Sequence, residues 1–283
     1  MARMPDWLKG LFAVLPTPMV AGGHLDPESL DGVVDYYLDG GAAGLVPASI
    51  AGEGDLLDEA ERRCVIQRVA RRSGGRAPVV VGVLAERTQQ AIADARIAAE
   101  CGAAGLLVKP PRGDAGAVLS HMRAIAKALP LPLILLDNPA FGPTLPSNLI
   151  ASLVEAVPAV CAIKVEDAPT PEKMAHLRRL LGPCLRIFGG LGGLHALAEL
   201  DQEADGFFTG NPYPARLVSM ITSYQAGDRA AAATAFEALR LAAAREMDCP
   251  AAMIPQRKLI LRELGVLREA ATRACATARS VRG

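Results

Sequence analysis

Lys164 closes the apolar run Val160-Cys161-Ala162-Ile163, and Glu166 follows two residues later. In an extended strand, residues two apart share a face, so the ammonium group and the carboxylate are expected to point the same way. Apolar walls disfavour a charged lysine and lower its pKa, leaving a neutral amine that can attack a carbonyl. The resulting iminium is an electron sink for a carbanion beside it, which is what carbon–carbon bond formation or cleavage next to a 2-oxo acid requires. Glu166 reads either as the base that moves the proton or as a counter-ion that keeps Lys164 charged, and both roles stay open at this point. Lys109 competes as nucleophile after Gly105-Leu106-Leu107-Val108. However, Pro110 and Pro111 turn the chain at once, and a lysine there can lay its stem on the rim with its head in water.

Other chemistries find less support. His24, His121, His176 and His195 are scattered with no HxH or HExxH spacing, so no metal site is expected. No GxSxG elbow is present for a serine nucleophile. The loop Phe188-Gly189-Gly190-Leu191-Gly192-Gly193 could offer amides to a phosphate or simply turn tightly. A phosphate-binding barrel isomerase or synthase, with Lys164 structural, is therefore a further reading. Thirty basic residues balance thirty acidic ones and aromatic residues make up only 4%, which argues against a nucleic-acid partner. Cys64, Cys101, Cys161, Cys184, Cys249 and Cys275 form no CxxC pair and read as reduced thiols of a cytoplasmic protein. The apolar stretch 10–15 is short and closed by Pro16 and Pro18, so it reads as a strand and not a signal peptide. No apolar run approaches the roughly 18 residues that span a bilayer, so no membrane association is expected.

These candidates must be positioned by something, and the chain supplies a regular alternation. Strands are expected at 11–15, 44–47, 79–83, 105–108, 133–136, 160–164, 185–188 and 206–208. Helical patterns fall between and after them at 27–38, 58–72, 88–101, 115–129, 147–157, 170–180, 193–200 and 215–226. Eight such units predict the α/β class and a (β/α)8 TIM barrel over 1–226, with a doubly wound open sheet as the main rival. Helices at 228–245, 253–264 and 267–279 would form a C-terminal extension, 227–283, packed on the barrel as one structural domain. Barrel sites lie at the carboxyl ends of strands, which selects Ser49 and Glu53, Lys109 and Arg112, Asp137 and Asn138, Lys164, Glu166 and Asp167, Gly189 to Gly193, and Thr209, Asn211 and Tyr213.

Five segments carry a resemblance: Leu15-Pro16-Thr17-Pro18-Met19, Ser49-Ile50-Ala51-Gly52-Glu53, Asp137-Asn138-Pro139, Ala162-Ile163-Lys164, and Pro255-Gln256-Arg257-Lys258 running on to Leu267. In order and spacing, over nearly the whole chain, they resemble the dihydrodipicolinate synthase and N-acetylneuraminate lyase family of class I aldolases. The resemblance implies a Schiff base on Lys164, a barrel with a helical tail, no metal or organic cofactor, and a homotetramer or homodimer. It further implies that backbone amides near Ala51, in the Ser49-Ile50-Ala51 loop, hold the substrate carboxylate, and that Gly189 and Phe208 line the site.

The chain also departs from that pattern. Leu136 stands where the family's proton-relay tyrosine precedes the strand-five Asn or Asp, and Ile50 and Ala51 replace the two threonines of its GTTGE motif. Pro111 and Arg112 replace a tyrosine pair after strand four, and Phe141 replaces an arginine of the dihydrodipicolinate synthases. Only Tyr36, Tyr37, Tyr213 and Tyr224 exist, and the prolines around Tyr213 suit a structural turn. The expectation is a Schiff-base lyase, aldolase or dehydratase, acting on pyruvate or a related 2-oxo acid, with Glu166, Asp137 or an ordered water replacing the relay. Lysine biosynthesis is not expected. Ile50, Leu136 and Phe141 predict an apolar pocket, and Arg112 could hold one anionic end of the substrate. A catalytically impaired barrel that only binds a 2-oxo acid is the alternative.

Overall fold

The computed structural model describes residues 4–273. Eight strands and eight helices alternate: β1 (Gly10–Val14), α1 (Pro27–Asp39), β2 (Gly44–Val46), α2 (Glu59–Ser73), β3 (Val80–Val83), α3 (Thr88–Glu100), β4 (Gly105–Val108), α4 (Ala115–Ala128), β5 (Leu133–Asp137), α5 (Ser147–Ala156), β6 (Val160–Val165), α6 (Thr170–Leu181), β7 (Arg186–Gly189), α7 (Ala196–Asp201), β8 (Gly206–Thr209) and α8 (Pro214–Gln225). All pairings between neighbouring strands are parallel, in the order β2-β1-β8-β7-β6-β5-β4-β3. A parallel bridge between Leu45 and Val79 brings the two ends together. Hydrogen bonds from Leu45 N–H to Pro78 O (3.0 Å) and from Gly82 N–H to Pro47 O (3.1 Å) support it. Gly82 permits this approach, because a Cβ there would lie 2.4 Å from the Ala48 carbonyl oxygen. The doubly wound alternative is thereby set aside in favour of the (β/α)8 barrel.

Period-two alternation divides the core into two layers. Leu133, Leu135, Ile163, Val165 and Ile187 face the helices, whereas Ile134, Leu136, Ala162, Phe188 and Phe208 fill the barrel interior. Phe12 stacks on Phe208 with ring centroids 4.6 Å apart, and Phe188 meets Phe208 edge-on at 4.8 Å. Local signals set the helix ends. Asp58 caps α2 through the amide of Glu61 in a capping box, and Gly74 closes that helix at φ +56°.

The expected helix at 193–200 begins later, at Ala196. Residues 191–193 instead form a 3-10 turn in which Gly192 and Gly193 take φ of +68° and +85°. Beyond the barrel, α9 (Arg229–Asp248) and α10 (Met253–Glu263) follow. The helix expected at 267–279 is not formed over 267–273, and its remainder lies outside the described residues. Over 267–273 the chain runs as a strap along the barrel. Arg268 pairs with Asp26 and Glu28, and Arg273 pairs with Glu61 and donates to Gly23 O and Leu56 O at 2.8 Å. No helix among the described residues is long and apolar enough to cross a membrane.

Candidate active site

Alternation along β6 turns Ala162 and Lys164 into the barrel and Ile163 and Val165 out of it. Lys164 Nζ lies 3.1 Å from Glu166 Oε1, and each side chain is only 10% exposed. Glu166 is held from two further sides, Asn138 Nδ2 donating to Oε2 at 2.8 Å and the Leu191 N–H donating to Oε1 at 2.9 Å. Burial alone would push the Glu166 carboxyl up. The Lys164 charge, the Leu191 amide and the Asn138 amide outweigh it and hold the pKa below the ordinary glutamate value. The pair is thus a lysine nitrogen beside an oriented carboxylate.

Glycine at 190 makes room for that carboxylate, since a Cβ there would sit 2.4 Å from Glu166 Oε1. Gly190→Ala is expected to push Glu166 off the Leu191 amide and lower turnover by at least about tenfold, the scale at which small displacements affect positioned groups. Steady-state rates alongside a far-UV spectrum would check this, and an unchanged rate would show the contact to be dispensable.

A cavity of about 380 Å³ opens around this pair. Ser49, Ile50 and Ala51 form one wall, Asn138 and Phe141 a second, and Phe208 and Thr209 a third. The 48–53 loop is conformationally strained: Ala48 and Glu53 both take φ of +54° without being glycine. It is anchored by Thr17 Oγ1 donating to Gly52 O at 2.5 Å and by Glu53, which pairs with Lys258 and accepts the Arg273 N–H at 2.7 Å. Through Lys258 the loop also fixes α10, which brings Met253 and Arg257 onto the cavity wall. These two were not singled out as site residues from sequence, where the extension read as a covering layer. Arg257 lies against the end of β8, its Nη1 2.7 Å from where a Cβ on Gly210 would be.

Of the sequence candidates, the structure brings Lys164, Glu166, Ser49, Ile50, Ala51 and Phe208 together around one cavity. Five others lie elsewhere, which corrects their expected placement. Asp137 is fully buried but shares the outward face of Val165, its register partner, and pairs with Lys173 at 2.8 Å on the helix side. Burial pushes its carboxyl up to about 6, with Lys173 acting in the opposite direction. Leu136 packs in the inner-barrel core and is not on the cavity wall. Gly189 faces α7, because a Cβ on it would meet Glu199. Arg112 is exposed, with its guanidinium 3.7 Å from Glu86, and Lys109 pairs with the same Glu86 at 3.2 Å.

None of the four tyrosines lines the cavity. Tyr36, Tyr37 and Tyr224 bond to Pro212 O, Gly210 O and Asp201, and the Tyr213 ring carries the Arg216 guanidinium. In the glycine loop, the Leu191 N–H is spent on Glu166 and the Gly193 N–H on Gly190 O. That commitment weakens the phosphate reading. Among the described residues no group of histidine, cysteine and acidic side chains could hold a metal ion.

Residues 7–278 match the Dihydrodipicolinate synthetase family. The chain belongs to this family. A 4-hydroxy-tetrahydrodipicolinate synthase of Sorangium cellulosum is 34% identical over 248 residues, covering 84% of this chain and 80% of that protein. An L-2-keto-3-deoxyarabonate dehydratase of Azospirillum brasilense is 26% identical, covering 77% and 73%. The crystal structure of a dihydrodipicolinate synthase from Rhodopseudomonas palustris superposes with a TM-score of 0.88 at 30% identity, over 96% of this chain and 93% of that one. Membership in the dihydrodipicolinate synthetase family makes the protein a lyase, in agreement with the motif order in its sequence. The family barrel places Lys164 at the carboxyl end of β6, on the face where barrel active sites lie.

Proposed function

We propose that the protein is a Schiff-base lyase that takes pyruvate or a related 2-oxo acid onto Lys164 and uses Glu166 as its acid–base group. The observation that carries this reading is the 3.1 Å approach of Glu166 to Lys164 Nζ inside the cavity. The amine adds to the C2 carbonyl, and loss of water gives the iminium, with backbone amides of the 49–51 loop facing the substrate carboxylate. Glu166 then removes a C3 proton, the C–H electron pair forms a C2–C3 double bond, and the iminium π pair moves onto the Lys164 nitrogen to give the enamine. From the enamine, attack on an aldehyde forms a carbon–carbon bond, and the reverse sequence cleaves one. With a hydroxyl suitably placed on a longer 2-oxo acid, Glu166 returns its proton to the departing oxygen and water leaves.

The tyrosine-free cavity supports Glu166, the one carboxylate among the described residues that pairs with Lys164, in that role. It also argues against the lysine-biosynthetic reaction, because Ile50 and Phe141 offer the acceptor no polar group. The lyase reading is favoured over an impaired binder by the three-point hold on Glu166, which an idle counter-ion would not need. We infer a homodimer or homotetramer for the assembly.

Incubation with pyruvate and borohydride, followed by peptide mass mapping, tests the covalent step. The expected result is one reduced adduct, on Lys164, absent from Lys164→Ala. An adduct on Lys109, or none, would sink the assignment.

A further inference from the structure

Glu199 is wholly buried on α7, on the helix side of β7 and one layer behind the cavity. Its Oε1 accepts a hydrogen bond from Thr170 Oγ1 at 2.5 Å, and its Oε2 meets no donor among the described residues. An ionised carboxylate in that position would be desolvated with a single neutral donor, so the site favours the uncharged acid.

The geometry around the β7 corner is unusual. A Cβ on Gly189 would lie 2.2 Å from Glu199 Oε2, and a Cβ on the next residue, Gly190, would lie 2.4 Å from Glu166 Oε1. Consecutive residues at the end of a strand face opposite sides. Two carboxyl groups are therefore seated on the two faces of one glycine pair, Glu199 from the helix layer and Glu166 from the cavity. The next residue, Leu191, supplies the amide that holds Glu166. Only a corner without side chains allows both approaches.

We propose that Glu199 is a positioning residue for Glu166: as a neutral acid seated against Gly189 it braces the corner that presents Leu191 N–H, and once ionised it opposes the Glu166 charge through that corner. This rests on the reading of Glu166 as the base. The groups facing Glu199 are Thr170 from α6 and, across the corner, Glu166, while β8 contributes the apolar Phe207 that also packs on Gly189. Burial pushes the Glu199 carboxyl up to about 7; the Thr170 hydroxyl acts in the opposite direction and the Glu166 charge adds to the rise. The brace thus changes charge in the neutral range, whereas Glu166, held below its ordinary value, is already anionic there.

Exchange of the pyruvate methyl protons in D2O, followed by NMR, reports iminium formation and C3 proton removal without a second substrate. Across about pH 5 to about pH 9, the wild-type rate is expected to fall above neutrality as Glu199 ionises. Glu199→Gln is expected to match the wild type at the acid end and to exceed it by about tenfold at the alkaline end, where a charge-free brace persists. Thr170→Val removes the donor that favours the anion and is expected to move the fall to higher pH; it also keeps the test open if Glu199→Gln does not fold. Exchange with superimposable profiles in all three proteins would overturn the role of Glu199 alone. Absence of exchange in the wild type would instead overturn the reading of Lys164 and Glu166 on which it rests.

Discussion

Glu166→Gln is expected to keep the imine and lose the proton transfer. Glutamine retains the length of the side chain and one oxygen for the Leu191 N–H, so the corner at 190–191 stays in place. It lacks the charge beside Lys164 and cannot accept a proton at any pH in which the protein is folded. Removing a general base of this kind costs about 10²- to 10⁴-fold. The methyl exchange of pyruvate should fall by that factor, while borohydride capture at Lys164 should persist, because amine attack needs no carboxylate to take the C3 proton. The split between the two measurements is the informative result. If both fall together, Glu166 governs the Lys164 amine and not the substrate proton. If neither falls, the carboxylate is only a counter-ion and another group moves the proton. Asp167 is one such candidate, since it borders the same cavity, although Lys173 holds its Oδ2 at 2.8 Å.

Residues whose position follows from strand period were legible in the sequence. Val160 to Ile163 are an apolar run because both faces of β6 are covered, and the same period puts Lys164 and Glu166 on one side. The strand reading failed where a strand runs one residue further than its apolar pattern. β5 ends at Asp137 and β7 at Gly189, each one residue past the expected stop, and each of these residues therefore still obeys the alternation and faces the helices. Read as the first residues of loops, they are free to face the cavity, and the added strand residue is what turns them away. Arg112 failed for a different reason: after Pro110 and Pro111 the chain is directed toward Glu86 and away from the barrel mouth. Met253 and Arg257 were not legible as site residues at all. Their arrival on the cavity depends on a contact between Lys258 and Glu53, 205 residues apart, and no local pattern encodes it.

That contact underlies the second large effect, the response to Lys258→Met. The Lys258 and Glu53 side chains are 0% and 1% exposed, and their ion pair is completed by Lys258 Nζ donating to Ala271 O at 2.8 Å. Burial lowers the pKa of Lys258, and the Glu53 charge works against that shift and favours the ammonium form. Methionine fills most of the lysine volume but removes the Lys258 cation from the Glu53 charge, at a residue already held at positive φ. Breaking one side of a buried pair costs about 3–5 kcal/mol, which equilibrium urea unfolding would read as a lowered midpoint with an unchanged slope. The double variant Lys258→Met with Glu53→Gln should recover part of this loss, because no uncompensated charge remains. A single variant as stable as the wild type would mean that water or the strap at Arg273 satisfies Glu53 unaided. The double variant also separates stability from function. If α10 is placed by this pair, Arg257 loses its seat against Gly210 even where the fold is retained. Turnover on the full substrate should then drop more than pyruvate capture at Lys164, which needs only β6 and the 49–51 loop.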